Sequence, residues 1–136
     1  MTEDEIRLVR ESFAHLHRRR SETAALFYGR LFEIAPEVKP MFKGDITAQG
    51  VKLMETLTVA LAALNDPGGL TVLLQKLGRD HRGYGVQERH YDHLEEALIW
   101  TLRTSLGAGF TPEIERAWTT LYGDMAGIMI AAGRTA

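Results

Sequence analysis

The chain has five histidines and no cysteine, and these two facts bound its possible chemistry. His81 follows Leu73, Leu74 and Leu77 and precedes Gly83, Gly85 and Val86. Taken alone, it reads either as a helix-terminal histidine favoured by the helix dipole or as a metal ligand. His90 and His93 are spaced i, i+3 and could share a metal, but no clear third ligand accompanies them. His15 and His17 fall on different faces of one helix. Gln49, Leu53 and Leu57 share a helix face at i, i+4 and i+8. The amide heading that apolar stripe either reaches solvent or serves as a hydrogen-bond donor inside an apolar pocket. Arg18, Arg19 and Arg20 form one basic run, which reads most simply as cations at a helix C-terminus. Without cysteine there is no disulfide framework, thiolate zinc site, iron–sulfur cluster or covalent C-x-x-C-H haem attachment.

The elements that must position these residues are helical. Thr2-Glu3-Asp4-Glu5 is a capping box. It opens a helix whose Ile6, Val9, Phe13 and Leu16 recur at helical spacing. Ser21 is expected to cap a second helix carrying Ala24, Phe27, Tyr28, Leu31 and Phe32. Pro36 and Pro40 bracket a short turn-like helix ending near Met41-Phe42. Asp45 to Thr47 start a long helix through about Leu64, and Asp66-Pro67-Gly68-Gly69 stop it. Further helices are expected from about Leu70 to His81, from about Glu88 to Leu106, and from Thr111-Pro112-Glu113 to about Ala132. Seven or eight helices in so short a chain favour an orthogonally packed all-α domain over a four-helix bundle.

Composition agrees with one globular domain over residues 1–136. Hydrophobic residues make up 45% and charged residues 25%, and the net charge of −2 is too balanced for a general nucleic-acid binder. Neither a signal peptide nor an apolar run long enough to span a bilayer is visible. We therefore expect a cytoplasmic protein without nucleic-acid or membrane partners, acting as a monomer or weak homodimer.

Several segments, in order along nearly the whole chain, resemble the globin family. They are Phe27-Tyr28, Pro40-Met41-Phe42, Gln49 to Leu53, and Leu77-Gly78-Arg79-Asp80-His81-Arg82-Gly83-Tyr84-Gly85-Val86. Tyr91, Leu106 through Thr111, and Ala117-Trp118 through Tyr122-Gly123 extend the likeness. Bacterial single-domain globins and the globin part of flavohaemoglobins are the nearest in pattern, with neuroglobin-like features. The resemblance implies a globin fold of seven to eight helices enclosing one non-covalent b-type haem (iron protoporphyrin IX). It implies His81 as the proximal iron ligand and Phe42 as the ring stacked on the haem. Tyr28 and Gln49 would be the distal pair facing the gas, and Leu53 and Leu57 the distal wall. Leu77, Val86, Tyr91 and Leu98 would lie on the proximal side or rim, and Lys52 is a candidate partner for a propionate.

These types suit such a role. Neutral imidazole ligates haem iron well and leaves the opposite face open. Its second nitrogen needs an acceptor, for which the Leu77 carbonyl one turn back is placed. Phenol and amide donors would stabilise the partial negative charge of bound dioxygen. The resemblance thus implies high-affinity binding of dioxygen and other diatomic gases (nitric oxide, carbon monoxide). The alternative is nitric oxide dioxygenation to nitrate with a separate reductase. Two departures bear on that choice. The glutamate that accompanies Tyr91 in flavohaemoglobins falls, by spacing, near Gly133, and no reductase domain is expected after Ala136. Gln49 stands where a distal histidine would, so six-coordination by such a histidine is not expected.

Overall fold

A computed structural model describes residues 1–134 and bears out an all-helical chain. Among the described residues there are six α-helices, with a 3-10 helix between the second and third making seven helices in all. They are α1 (Glu3–His17), α2 (Arg20–Ile34), the 3-10 helix Pro36–Met41, α3 (Ile46–Ala62), α4 (Pro67–Gly83), α5 (Glu88–Leu106) and α6 (Pro112–Arg134). Single 3-10 turns, Ala63–Asn65 and Gly107–Gly109, close α3 and α5.

Most starts follow the local chemistry of the sequence. Thr2 Oγ1 accepts the Glu5 N–H at 3.1 Å while the Glu5 carboxylate accepts the Thr2 N–H at 2.9 Å, satisfying two otherwise orphaned donors. Asp45 caps α3 through the Thr47 N–H, and Thr111 caps α6 through the Ile114 N–H. Three expectations need correction. Ser21 is not the cap of α2, which begins at Arg20 after Arg19 and has no side-chain cap. The Asp66–Gly69 segment is less a stop than a start, because Pro67 occupies the first helical position and Asp66 accepts the Gly69 N–H. The basic run spans a helix junction, with Arg18 closing α1 and Arg20 opening α2.

Two apolar clusters hold the helices together. The larger joins Val9, Phe13 and Leu16 of α1 to Met54 and Leu61 of α3, Leu74 of α4, Leu102 of α5, and Trp118 and Leu121 of α6. Trp118 is fully buried, and its indole N–H donates to Ser12 Oγ at 2.8 Å. Ser12 in turn reaches the Leu8 carbonyl, so the one polar atom of the tryptophan is satisfied inside the core. The smaller cluster joins Phe27, Tyr28, Leu31, Ala35, Val38 and Ala97. Leu98 packs against both.

The closest helix crossing is that of α4 on α6. A Cβ placed on Gly78 would lie 2.1 Å from the Met129 carbonyl oxygen, and one on Gly133 would lie 3.3 Å from the Gly78 oxygen. Glycine at position 78 lets the two backbones approach far more closely than alanine would allow, and Gly133 adds a second tight point. After α4 the chain turns through Gly85, whose φ of +92° is disfavoured for other residues. The Val86 N–H then donates back to the His81 carbonyl at 3.0 Å.

Candidate functional site

His81 lies in the last turn of α4, one turn beyond the glycine contact that fixes this helix on α6. Its Nδ1 donates to the Leu77 carbonyl at 2.7 Å, the bond expected from the sequence. This contact sets the tautomer, because a carbonyl can only accept: the proton is on Nδ1 and the lone pair on Nε2. Burial pushes the imidazole pKa below its ordinary value, opposed by the Leu77 bond and by Asp80. The ring is therefore neutral near pH 7, the form in which Nε2 can bind a metal. The Tyr91 ring lies 6.3 Å away at a 31° tilt, and the Tyr122 hydroxyl holds the Tyr91 carbonyl.

Tyr28 stands on α2 within the smaller cluster and is 6% exposed. Burial raises its pKa to about 12, partly offset by a polar contact with the Gln49 amide. Gln49 is half-buried. The Phe42 ring meets Tyr28 edge-on at 5.3 Å and Phe32 at 5.4 Å. Phe32 stacks on Tyr28 at 6.0 Å. Phe42 emerges from the end of the 3-10 helix, where Pro36 and Pro40 restrict the backbone.

The apolar residues singled out from the sequence are half-buried rather than core. Leu53 packs on the Tyr28 cluster, Leu57 and Leu77 on the larger one, and Leu98 on both. Val86 and Tyr91 line a small cavity of about 20 Å³ behind α4, with Gly78, Arg82 and Gly133. Thus Tyr28, Gln49, Phe42 and Leu53 form one group and His81, Leu77, Tyr91 and Val86 another, with Leu98 linking the two apolar clusters. Lys52 is exposed and lies outside both.

Sequence reasoning missed the contributions of Phe32 and Gly78 to the site. Phe32 is four residues beyond Tyr28, so the i, i+4 rule could have placed it in the ring cluster. Gly78 could have been flagged as a glycine kept inside a helix at a cost in propensity, three residues before His81. Gly133, where spacing puts the glutamate of flavohaemoglobins, faces the Gly78 backbone, and a Cβ there would make a tight 3.3 Å contact with the Gly78 oxygen. Glu95, one turn along α5 from Tyr91, is a nearby carboxylate; burial first and then Asp92 push its pKa up. His90 and His93 rings lie 6.4 Å apart. Among the described residues no three potential ligands converge there or elsewhere.

The all-helical chain thus carries a neutral, carbonyl-anchored histidine, a buried tyrosine beside a half-buried amide, and a half-buried leucine wall. Comparison with known proteins identifies the class. The globin family model matches residues 25–129. A neuroglobin of Chaenocephalus aceratus is 26% identical, over 90% of this chain and 86% of its own length. A protein of Brassica napus named as an anaerobic nitrite reductase is 30% identical, over 92% of this chain and 87% of its own. A hexacoordinated haem protein from an anhydrobiotic tardigrade superposes with a TM-score of 0.88 over 98% of this chain and 96% of its own. At 18% identity, that likeness concerns the fold alone. The chain belongs to the globin family.

Proposed function

We propose that this globin holds haem through His81 and binds dioxygen and other diatomic gases on it with high affinity. The observation that carries the reading is the pairing of a neutral His81, its lone pair on Nε2, with the Tyr28–Gln49 donor pair set in apolar surroundings. These residues fit haem. The donor is an imidazole of the correct tautomer, Phe42 offers a flat apolar face, and Leu53, Leu57, Leu77, Val86 and Leu98 leave apolar surface only partly covered. Haem, once bound, supplies an iron that takes up a diatomic gas.

Everything else is the work of the chain. Burial keeps the Tyr28 proton on its oxygen across the physiological range, so Tyr28 remains a donor. Gln49 of α3 lies beside that hydroxyl and would offer a second donor. The leucine wall excludes water, which would compete for both. A hydrogen bond to a charged group contributes about 1.5–3 kcal/mol, equal to roughly one to two decades in affinity. The sequence has no cysteine to form the thioether links of a c-type haem, and we read the group as non-covalent haem b. Tyr28, Gln49 and Tyr91 favour kinship with bacterial single-domain globins and the globin part of flavohaemoglobins. We further read the protein as cytoplasmic, and as a monomer or weak homodimer. No helix among the described residues is long and apolar enough to cross a membrane. Absorption spectra of ferric, ferrous and gas-bound protein, with the dioxygen dissociation rate, test the reading. A Soret band and slow dissociation are expected; absence of haem uptake would refute it.

A second reading is nitric oxide dioxygenation, which the Tyr28–Gln49 pair would serve equally by holding dioxygen tightly. Nitric oxide would be oxidised to nitrate by dioxygen, with electrons from a separate reductase. Glycine rather than glutamate at position 133 weighs toward simple gas binding, the nearby carboxylate of Glu95 standing on a different helix. Turnover with a supplied reductase decides: nitrate production no faster than with free haem eliminates the enzyme.

A further inference from the structure

The first turn of α5 holds a histidine whose two ring nitrogens face opposite demands. His90 is 2% exposed. Its Nδ1 accepts the Gln87 backbone N–H at 2.9 Å. In a neutral ring the accepting nitrogen is the bare one, so the proton is on Nε2. That Nε2 is buried and has no hydrogen-bond partner. Facing it at 3.8 Å is Oε1 of Glu37, on the 3-10 helix Pro36–Met41. The gap is longer than a hydrogen bond, and Glu37 is 45% exposed, so a small displacement would close it.

We propose that His90 is a proton-sensitive positioning residue, coupling the first turn of α5 to the 3-10 helix and thereby tuning both sides of the gas-binding site. The inference rests on the haem-binding reading above. In the neutral ring, Nδ1 caps α5 by holding the Gln87 N–H. Protonation turns Nδ1 into a donor facing that N–H, and the cap is lost. The same proton gives Nε2 a full charge opposite Glu37, which draws the ring toward the 3-10 helix. Each state satisfies one end of the imidazole at the expense of the other. The consequence reaches the site along two short paths. Tyr91 follows His90 in the chain, and its ring packs 6.3 Å from that of His81. Phe42, whose ring touches Tyr28, ends the helix that carries Glu37.

The charges around His90 set the direction. Burial lowers its pKa most; Arg89 and His93 of the same helix lower it further, and Glu37 opposes them. On α2, Arg30 lies over the Trp100 ring, far along α5 from His90, and pairs with Glu33. On α6, Arg134 is engaged by Glu88. A metal ion is a poor occupant of this place. Coordination through Nε2 would put a proton on Nδ1 against the Gln87 N–H.

The test uses haem-loaded protein. ¹⁵N chemical shifts of the His90 ring in the diamagnetic carbon monoxide complex should show a protonated Nε2 and a bare Nδ1 at pH 7.5, with a second proton gained below about pH 6.5. Over the same range the dioxygen dissociation rate should change about threefold or more, a bias that loss of one helix cap can supply. In His90→Gln the pH step should vanish, because a glutamine at this position can still hold the Gln87 N–H but cannot titrate. In Glu37→Gln the step should move to lower pH. A proton on Nδ1 at pH 7.5, a step retained in His90→Gln, or an unmoved midpoint in Glu37→Gln would each overturn the proposal. Failure to take up haem would instead defeat the gas-binding reading. The same nitrogen shifts, measured on the haem-free chain, would then decide the protonation scheme.

Discussion

Tyr28 is acted on by two opposed influences, a burial that keeps its proton in place and an amide neighbour that steadies the hydroxyl. Removing that oxygen while keeping the ring isolates its role. In Tyr28→Phe the contacts to Phe27, Phe32 and Phe42 survive. Dioxygen should then dissociate roughly 10- to 100-fold faster, the loss of one charge-assisted hydrogen bond, while carbon monoxide dissociation changes less. Stopped-flow measurement of both gases checks this, and equal effects on the two would show that the ring rather than the donor matters. His81→Ala should lose most haem or leave it wrongly ligated, read as loss of the five-coordinate ferrous spectrum. At this scale the sequence was legible unevenly. His81 was one histidine among five until the resemblance to globins, carried in part by Phe42 and Gln49, singled it out. The orientation of Gln49 could not be decided from spacing, because an i, i+4 stripe does not show whether its first member turns inward.

The helices themselves were largely legible, since their starts are written in local chemistry: Thr2 with Glu5, Asp45, and Thr111 before Pro112. The miss at Ser21 has a physical cause. Only Arg18 and Arg19 separate α1 from α2, so α2 is already under way at Arg20 and Ser21 lies inside it; Thr23 Oγ1 donates across the junction to the Leu16 carbonyl, satisfying an acceptor at the end of α1 rather than a donor of α2. What periodicity could not show is which helices touch most closely. That crossing is set by Gly78, and it predicts a graded series. Gly78→Ala would place a methyl group 2.1 Å from the Met129 carbonyl oxygen, an immovable backbone atom. It should destabilise the fold by about 3 kcal/mol or more and weaken haem retention, because α4 carries His81. Gly50→Ala meets only the Ala24 methyl at 2.9 Å and should cost less, about 1–2 kcal/mol. Gly127→Ala meets nothing within 4 Å and should be neutral or stabilising, since alanine is the better helix former. Denaturant midpoints order the three variants, and a Gly78→Ala as stable as Gly127→Ala would refute the crossing as the anchor of the site.

For the molecule as a whole, the buried ionisable groups define a stability window in pH. On the acid side, the folded chain holds His90 below its ordinary pKa. The unfolded chain therefore takes up a proton first as pH falls through about 6.5. Stability then declines by up to about 1.4 kcal/mol per pH unit from this group until its folded pKa is reached. The alkaline side is governed by tyrosines. Tyr28, Tyr91 and Tyr122 all have raised pKa values, with burial the leading cause in each, and in Tyr122 the charges of Glu95, Tyr91 and Asp92 add to it. For Tyr28 the shift is from 10.0 to about 12. Below about pH 10 both folded and unfolded forms keep the phenol proton, so its ionisation has no effect on stability. Above it the unfolded chain releases the proton while the folded chain retains it, and folding becomes progressively less favourable up to about pH 12. Integrated over that interval, Tyr28 alone accounts for about 2–3 kcal/mol. Urea unfolding of the haem-free chain at about pH 7, 9.5 and 11.5 should therefore show little change over the first interval and a marked fall over the second. Tyr28→Phe should remove a substantial part of that fall without abolishing it, because Tyr91 and Tyr122 remain. A fall of undiminished size in the variant would place Tyr28 in contact with solvent and remove the basis for treating its hydroxyl as a permanent donor to bound gas.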